Sequence, residues 1–192
     1  MTTSSLDYYG IEELLTDKER AIRDRTRRFV QEEVMQEVVP CHRAGKFPEH
    51  LIARMGALGF YAPQLKEHGC AGLSYTAYGL IMQELERGDS GLRSFVSVQG
   101  ALCMYPIHAY GSDDQKNKWL PKMATGEVIG CFGLTEADFG SNPSGMLTNA
   151  HGLKSVNSNP SRYGYPAMSC SRAKLGRRQM TDPAAAATLA AG

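Results

Sequence analysis

Apolar residues recur at helical spacing along most of the chain. Thr16 and Glu19 form a T-x-x-E capping box ahead of Ile22, Phe29, Val30, Val34 and Val38, which share one helical face. That helix is expected to stop before Pro40, whose ring removes a backbone donor and restricts its predecessor. A second helix is expected from Pro48, with Leu51, Ile52, Met55 and Leu58 turned inward until Gly59 ends it. A third, over 74–87, carries Leu80, Ile81 and Leu85 as its apolar stripe, and Gly88 breaks it. A fourth is expected over 94–108, and a fifth from Ser112, where Gln115 completes another capping box, with a bend or restart at Pro121. Only residues 128–134, a short apolar run punctuated by glycine, leave the helical rhythm and read as a strand.

This order predicts an α+β chain: an all-α N-terminal domain over 1–126, then the start of a β domain over 127–150. Residues 151–192 differ in character. They hold Lys154, Arg162, Arg172, Lys174, Arg177 and Arg178 against the single acid Asp182, show no apolar period and end in DPAAAATLAAG. They are expected to be an atypical basic, disordered tail; a basic arm for nucleic acid or membrane is the alternative.

Composition narrows the function classes. With 192 residues, 42% hydrophobic and 21% charged, the chain has enough apolar material for a core, which excludes disorder throughout. A net charge of +1 supplies no general attraction to phosphate backbones, so nucleic acid is not expected as a partner. No window approaches the roughly 20 apolar residues of a membrane span, and the opening MTTSSLDYYGIEELL lacks the marks of an export signal. The expected compartment is a bacterial cytoplasm, or the mitochondrial matrix if the source is eukaryotic. Cys41, Cys70, Cys103, Cys131 and Cys170 are scattered singly, which reads as reduced thiols, most of them small buried hydrophobes.

Two segments could carry chemistry. In TEADFGSNPSG, residues 135–145, Gly140, Gly145 and Ser141 could hold a phosphate through backbone N–H groups and a hydroxyl, or form an ordinary turn. In ELERGDSGLRSFVSVQG, Arg93 lies four residues before Ser97 on one helical face. It could clamp a ligand carboxylate, or be a surface residue pairing with Asp89 or Glu86. His42, His50, His68, His108 and His151 show no metal-ligand spacing and read as surface or core-edge histidines, so no metal is expected. No Walker loop, GxGxxG or GxSxG is present.

The segments HGCAGLS, ELERGDSGLRS, SVQGALCMYPIHAYGSDDQKNKWLPKMATGE and CFGLTEADFGSNPSGM, taken in register, resemble the amino-terminal half of the flavin-dependent acyl-CoA dehydrogenases. More narrowly, they are similar to the glutaryl-CoA dehydrogenases. The resemblance runs from the first capped helix to about Met146. It implies FAD as cofactor, α,β-dehydrogenation of an acyl-CoA, electron transfer to an electron-transfer flavoprotein and a homotetramer. For the glutaryl branch it implies oxidative decarboxylation of glutaryl-CoA to crotonyl-CoA. By resemblance, Phe132, Leu134 and Thr135 contact the flavin and Ser141 the FAD pyrophosphate. Arg93, Ser97 and Glu86 hold the distal carboxylate of the substrate. The family's catalytic carboxylate comes from a C-terminal domain, so no catalytic residue is expected here and the chain alone is expected to be inactive. Where the family usually has TEPNSGSD, the chain has Thr135-Glu136-Ala137-Asp138-Phe139-Gly140-Ser141-Asn142, so a proline, a small residue and an aspartate are replaced. A non-catalytic helical binding or assembly module is the alternative reading.

Overall fold

The computed structural model describes residue 7 and residues 9–135, 140–145 and 170–171. After a 3-10 turn (Ile11–Leu14) come α1 (Asp17–Phe29), a π-helical turn (Val30–Val34), α2 (Met35–Ala44), α3 (His50–Ala57), α4 (Tyr75–Gly88) and α5 (Ser90–Ser97). A second π-helical stretch (Val98–Met104), α6 (Tyr105–Tyr110), α7 (Asp113–Ala124) and β1 (Val128–Ile129) follow. β1 pairs antiparallel with a two-residue β2 (Cys170–Ser171), Val128 opposite Ser171. Apart from β2, the expected basic tail lies outside the described residues. No helix among the described residues is long and apolar enough to cross a membrane.

Both expected capping boxes form. The Thr16 hydroxyl accepts from the Glu19 N–H while Glu19 accepts from the Thr16 N–H, and Ser112 and Gln115 reciprocate in the same way. The first helical run does not stop at Pro40: α2 continues through it to Ala44. None of the α2 side chains is buried, so the carbonyl that loses its partner to the proline stands where water can satisfy it. Pro121 likewise lies inside α7. The fourth helical run begins at Ser90, four residues earlier than expected, because Asp89 caps it: Asp89 Oδ1 accepts from the Leu92 N–H at 2.6 Å. Asp89, in extended backbone, therefore ends α4 and starts α5. Gly88 is still helical, and its role is close approach, since a Cβ there would sit 2.6 Å from Val30 Cγ1. The expected strand over 128–134 shrinks to Val128–Ile129, the only stretch with a ladder partner.

The core lies where α1 and its π-helical turn pack against α4 and α5. Val34, Met55, Phe60, Ile81, Leu85, Val96, Met104 and Leu120 are fully buried there. Of the four described cysteine side chains only Cys103 is buried; Cys41, Cys70 and Cys131 are half-buried, so the expectation of mostly buried thiols holds for one of them. Two polar side chains are locked into the core. Glu84 takes a two-point clasp from Arg27, with Nη2 donating to Oε1 at 2.7 Å and Nε to Oε2 at 3.1 Å, which fixes α1 to α4. Gln99 Nε2 donates to the carbonyls of Met123 and Val128, and its Oε1 accepts from the Gly130 N–H at 2.8 Å. One amide therefore ties the helix of Arg93 and Ser97 to the strand that leads to Phe132.

Candidate functional site

The reversal at Asp89 folds the start of α5 back beside the last turn of α4, so Glu86 and Arg93, seven residues apart, become neighbours. Arg93 Nε donates to Glu86 Oε2 at 2.6 Å, and Nη1 reaches Ser97 Oγ at 3.4 Å, at the long end of hydrogen bonding. The Ser97 hydroxyl donates to the Ser94 carbonyl, and the Ser90 hydroxyl donates to Glu86 Oε1 at 2.6 Å. The three residues expected from sequence to act together are thus in one place.

They line an open groove of about 430 Å³ together with Tyr78, Gly79, Met82 and Gln83. Those four residues were not singled out from sequence. A signal existed: Gly79, Met82, Gln83 and Glu86 follow the spacing of a single helix face. Gly79 gives the groove depth, because a Cβ there would meet nothing within 4 Å.

The electrostatics favour a fixed cation. The Ser90 hydroxyl first, and Arg93 second, hold the Glu86 carboxyl below its ordinary range, so it stays anionic beside the guanidinium at neutral pH. Burial pushes the Tyr78 phenol up, with Arg93 opposing, so that ring presents a neutral hydroxyl. With Glu86 on Nε and Ser97 near Nη1, Nη2 has no hydrogen-bond partner among the described residues. A planar fork held on one side and open on the other suits a carboxylate.

The other candidates lie beyond β1 and do not line this groove. Phe132 and Leu134 are partly exposed, at 36% and 39%, and Thr135 is exposed. Ser141 is exposed beside Gly140, just before a 3-10 turn (Pro143–Gly145) in which the Gly145 N–H donates to the Asn142 carbonyl. Nothing lies within 4 Å of where a Cβ would stand on Gly133 or Gly140. The two stretches are separated by residues 136–139, which lie outside the described residues; the first offers uncovered apolar side chains and a hydroxyl, of the kind an aromatic ring could lie against, and the second a hydroxyl beside open backbone, of the kind a phosphate could take. Glu136 and Phe139 lie outside the described residues.

The family description "Acyl-CoA dehydrogenase, N-terminal domain" matches residues 16–127. The pig mitochondrial short-chain specific acyl-CoA dehydrogenase is 32% identical over 137 residues, covering 71% of this chain and 33% of that protein. Glutaryl-CoA dehydrogenase of Desulfococcus multivorans is 31% identical over 140 residues, covering 71% and 36%. Among solved structures, a glutaryl-CoA dehydrogenase from Mycobacterium smegmatis in complex with FADH2 superposes with a TM-score of 0.72 at 48% identity. The match covers 76% of this chain and 38% of that one. The chain spans about a third of the length of the curated relatives it matches.

Proposed function

The chain belongs to the acyl-CoA dehydrogenase family, and from that premise we propose that it carries the substrate-end anchor and first flavin-contact segment of a glutaryl-CoA dehydrogenase. The reaction proposed is FAD-dependent α,β-dehydrogenation with loss of the distal carboxylate, giving crotonyl-CoA. Electrons pass onward to an electron-transfer flavoprotein, and the assembly is a homotetramer. Bound FAD supplies the acceptor for the hydride that leaves the β carbon. Phe132, Leu134 and Thr135 would lie against its ring system and Ser141 at its pyrophosphate.

The observation that carries the substrate reading is the Arg93, Ser97 and Glu86 constellation in a groove deepened by Gly79. Arg93 takes the distal carboxylate through its open edge, and Ser97 steadies the guanidinium. Glu86 holds Nε and fixes the plane of the fork. Anchoring the end remote from the thioester restricts where the α and β carbons lie, so binding energy far from the reacting centre is spent on orientation. The likeness to short-chain acyl-CoA dehydrogenases makes the dicarboxyl substrate the point to test.

The test compares glutaryl-CoA with butyryl-CoA binding by calorimetry, together with a visible spectrum of the chain after incubation with FAD. Arg93→Met is expected to weaken glutaryl-CoA binding by about tenfold to a hundredfold, the worth of a charge-assisted bond of about 1.5–3 kcal/mol, and to leave butyryl-CoA unchanged. Gly79→Leu, which fills the groove and favours the helix, is expected to weaken both. Equal losses for the two ligands in Arg93→Met would reject the glutaryl assignment. A colourless protein that retains no flavin would favour the non-catalytic helical module instead.

A further inference from the structure

Glu67, His68 and His108 come from a loop and a helix forty residues apart in sequence, yet their nearest ligand atoms all lie within 4.8 Å of one another. No spacing rule joins them. His68 and Glu67 sit in the connection between α3 and α4, and His108 is in the last turn of α6. We infer that these three side chains form a binding site for a divalent transition metal of the Zn²⁺ class.

The loop is a fixed platform. Its ends are closed by the Gly72 N–H on the Leu65 carbonyl at 2.8 Å and the Leu73 N–H on the Pro63 carbonyl at 2.7 Å, with the Cys70 N–H on the Glu67 carbonyl at 3.1 Å inside. Gly69 at its tip lies against Ala124, the last residue of α7. The His68 side chain is 15% exposed, and its Nε2 lies 3.7 Å from Glu67 Oε2, too far for a hydrogen bond and close enough to share an ion.

His108 brings an unsatisfied ring nitrogen. Its Nδ1 is buried and has no hydrogen-bond partner among the described residues. A buried ring nitrogen without a partner forfeits hydration that a neighbouring ligand or ion would replace. Two imidazoles with one carboxylate form a nitrogen-rich donor set, which suits Zn²⁺, Co²⁺ or Ni²⁺ and not the oxygen-seeking Ca²⁺ or Mg²⁺. A tetrahedral ion with bonds of about 2.0–2.2 Å holds its ligand atoms roughly 3.4 Å apart. Closing from 4.8 Å requires about 1.4 Å of movement at most, shared between the His68 and His108 rings and the carboxylate of Glu67, which is 70% exposed and free to change rotamer. Three protein ligands leave a fourth position for water. Bound there, the ion would clamp the α3–α4 loop to α6, so the chain should gain stability with metal concentration.

The probe is Zn²⁺ titrated into the chelator-treated full chain by calorimetry, with Co²⁺ as a spectroscopic reporter. Expected are one ion per chain, a melting temperature that rises with Zn²⁺, and intense visible Co²⁺ bands of a four-coordinate site. His68→Gln and His108→Gln should each weaken binding by more than about tenfold and abolish the thermal shift. His42→Gln with His50→Gln should change neither. The site is disproved if Zn²⁺ binds no more tightly than to the variants, or if Co²⁺ shows only the weak bands of a six-coordinate, hydrated ion. The Co²⁺ spectrum of the unaltered chain decides the matter even where a histidine variant fails to fold.

Discussion

Cys103 shows how strongly a residue's chemistry depends on what packs against it. It is 3% exposed, and a Cβ on Gly130 would stand 2.8 Å from its sulfur, so the backbone just after β1 lies directly over the thiol. Burial first, and the neighbouring Cys131 second, push it up to about 12. The thiolate is the reactive species, so at pH 8 Cys103 should react with an alkylating reagent roughly a thousandfold more slowly than an ordinary cysteine. Its rate should rise about tenfold per pH unit as the thiolate fraction grows. Mass-spectrometric labelling of folded and urea-unfolded chain checks this: rapid modification of Cys103 in the folded chain at pH 8 would contradict it. Individual exposure of this kind was poorly legible in sequence. Scattered cysteines carry no periodicity, whereas Arg93, Ser97 and Glu86 were legible because helical spacing and a family motif place them together.

At the level of elements, the helices were readable because their start signals are local. Thr16 with Glu19 and Ser112 with Gln115 satisfy the first donors of a helix within four residues of chain. Boundaries set by distant packing were not readable. Gly88 looks like a helix breaker by itself, and only the Val30 methyl against it explains a helical glycine there. Gln99 is the strongest case. Nothing in its sequence setting separates it from a surface glutamine, yet it is 1% exposed and makes three hydrogen bonds to backbone groups around β1. Gln99→Leu keeps the volume and strips those partners, leaving the Met123 and Val128 carbonyls and the Gly130 N–H short of one bond each. The expected loss is about 2–5 kcal/mol, allowing for water reaching the partly exposed strand. Urea unfolding should show a lower midpoint, and Gly130 should lose amide-exchange protection before α1 does. An unchanged midpoint would mean that the amide is not what holds the strand.

For the molecule as a whole, the amphipathic stripes foretold a helical assembly but not which helices meet, since that is fixed by pairs far apart in sequence. Arg27 and Glu84, fifty-seven residues apart, join α1 to the helix that walls the groove. Glu84 is 1% exposed, and its second cation, Arg87, reaches it at 3.2 Å from a side chain 44% exposed. The two arginines should therefore contribute unequally. Arg27→Met removes a two-point clasp and leaves a carboxylate in the core with one largely solvated partner, Arg87. The cost is expected near 2–4 kcal/mol, below the loss for a wholly buried pair because the Arg27 side chain is itself 25% exposed. Arg87→Met should cost less than about 1 kcal/mol. Replacing the pair together, Arg27→Met with Glu84→Met, removes the stranded charge and should recover most of the loss, since an ion pair taken out of water offsets much of its own attraction by desolvation. Urea unfolding of the three variants measures the order. If the double replacement is no more stable than Arg27→Met alone, the clasp acts through packing of the arginine stem against α4 and not through charge, and the α1–α4 contact would owe its stability to the apolar stripe that the sequence already displays.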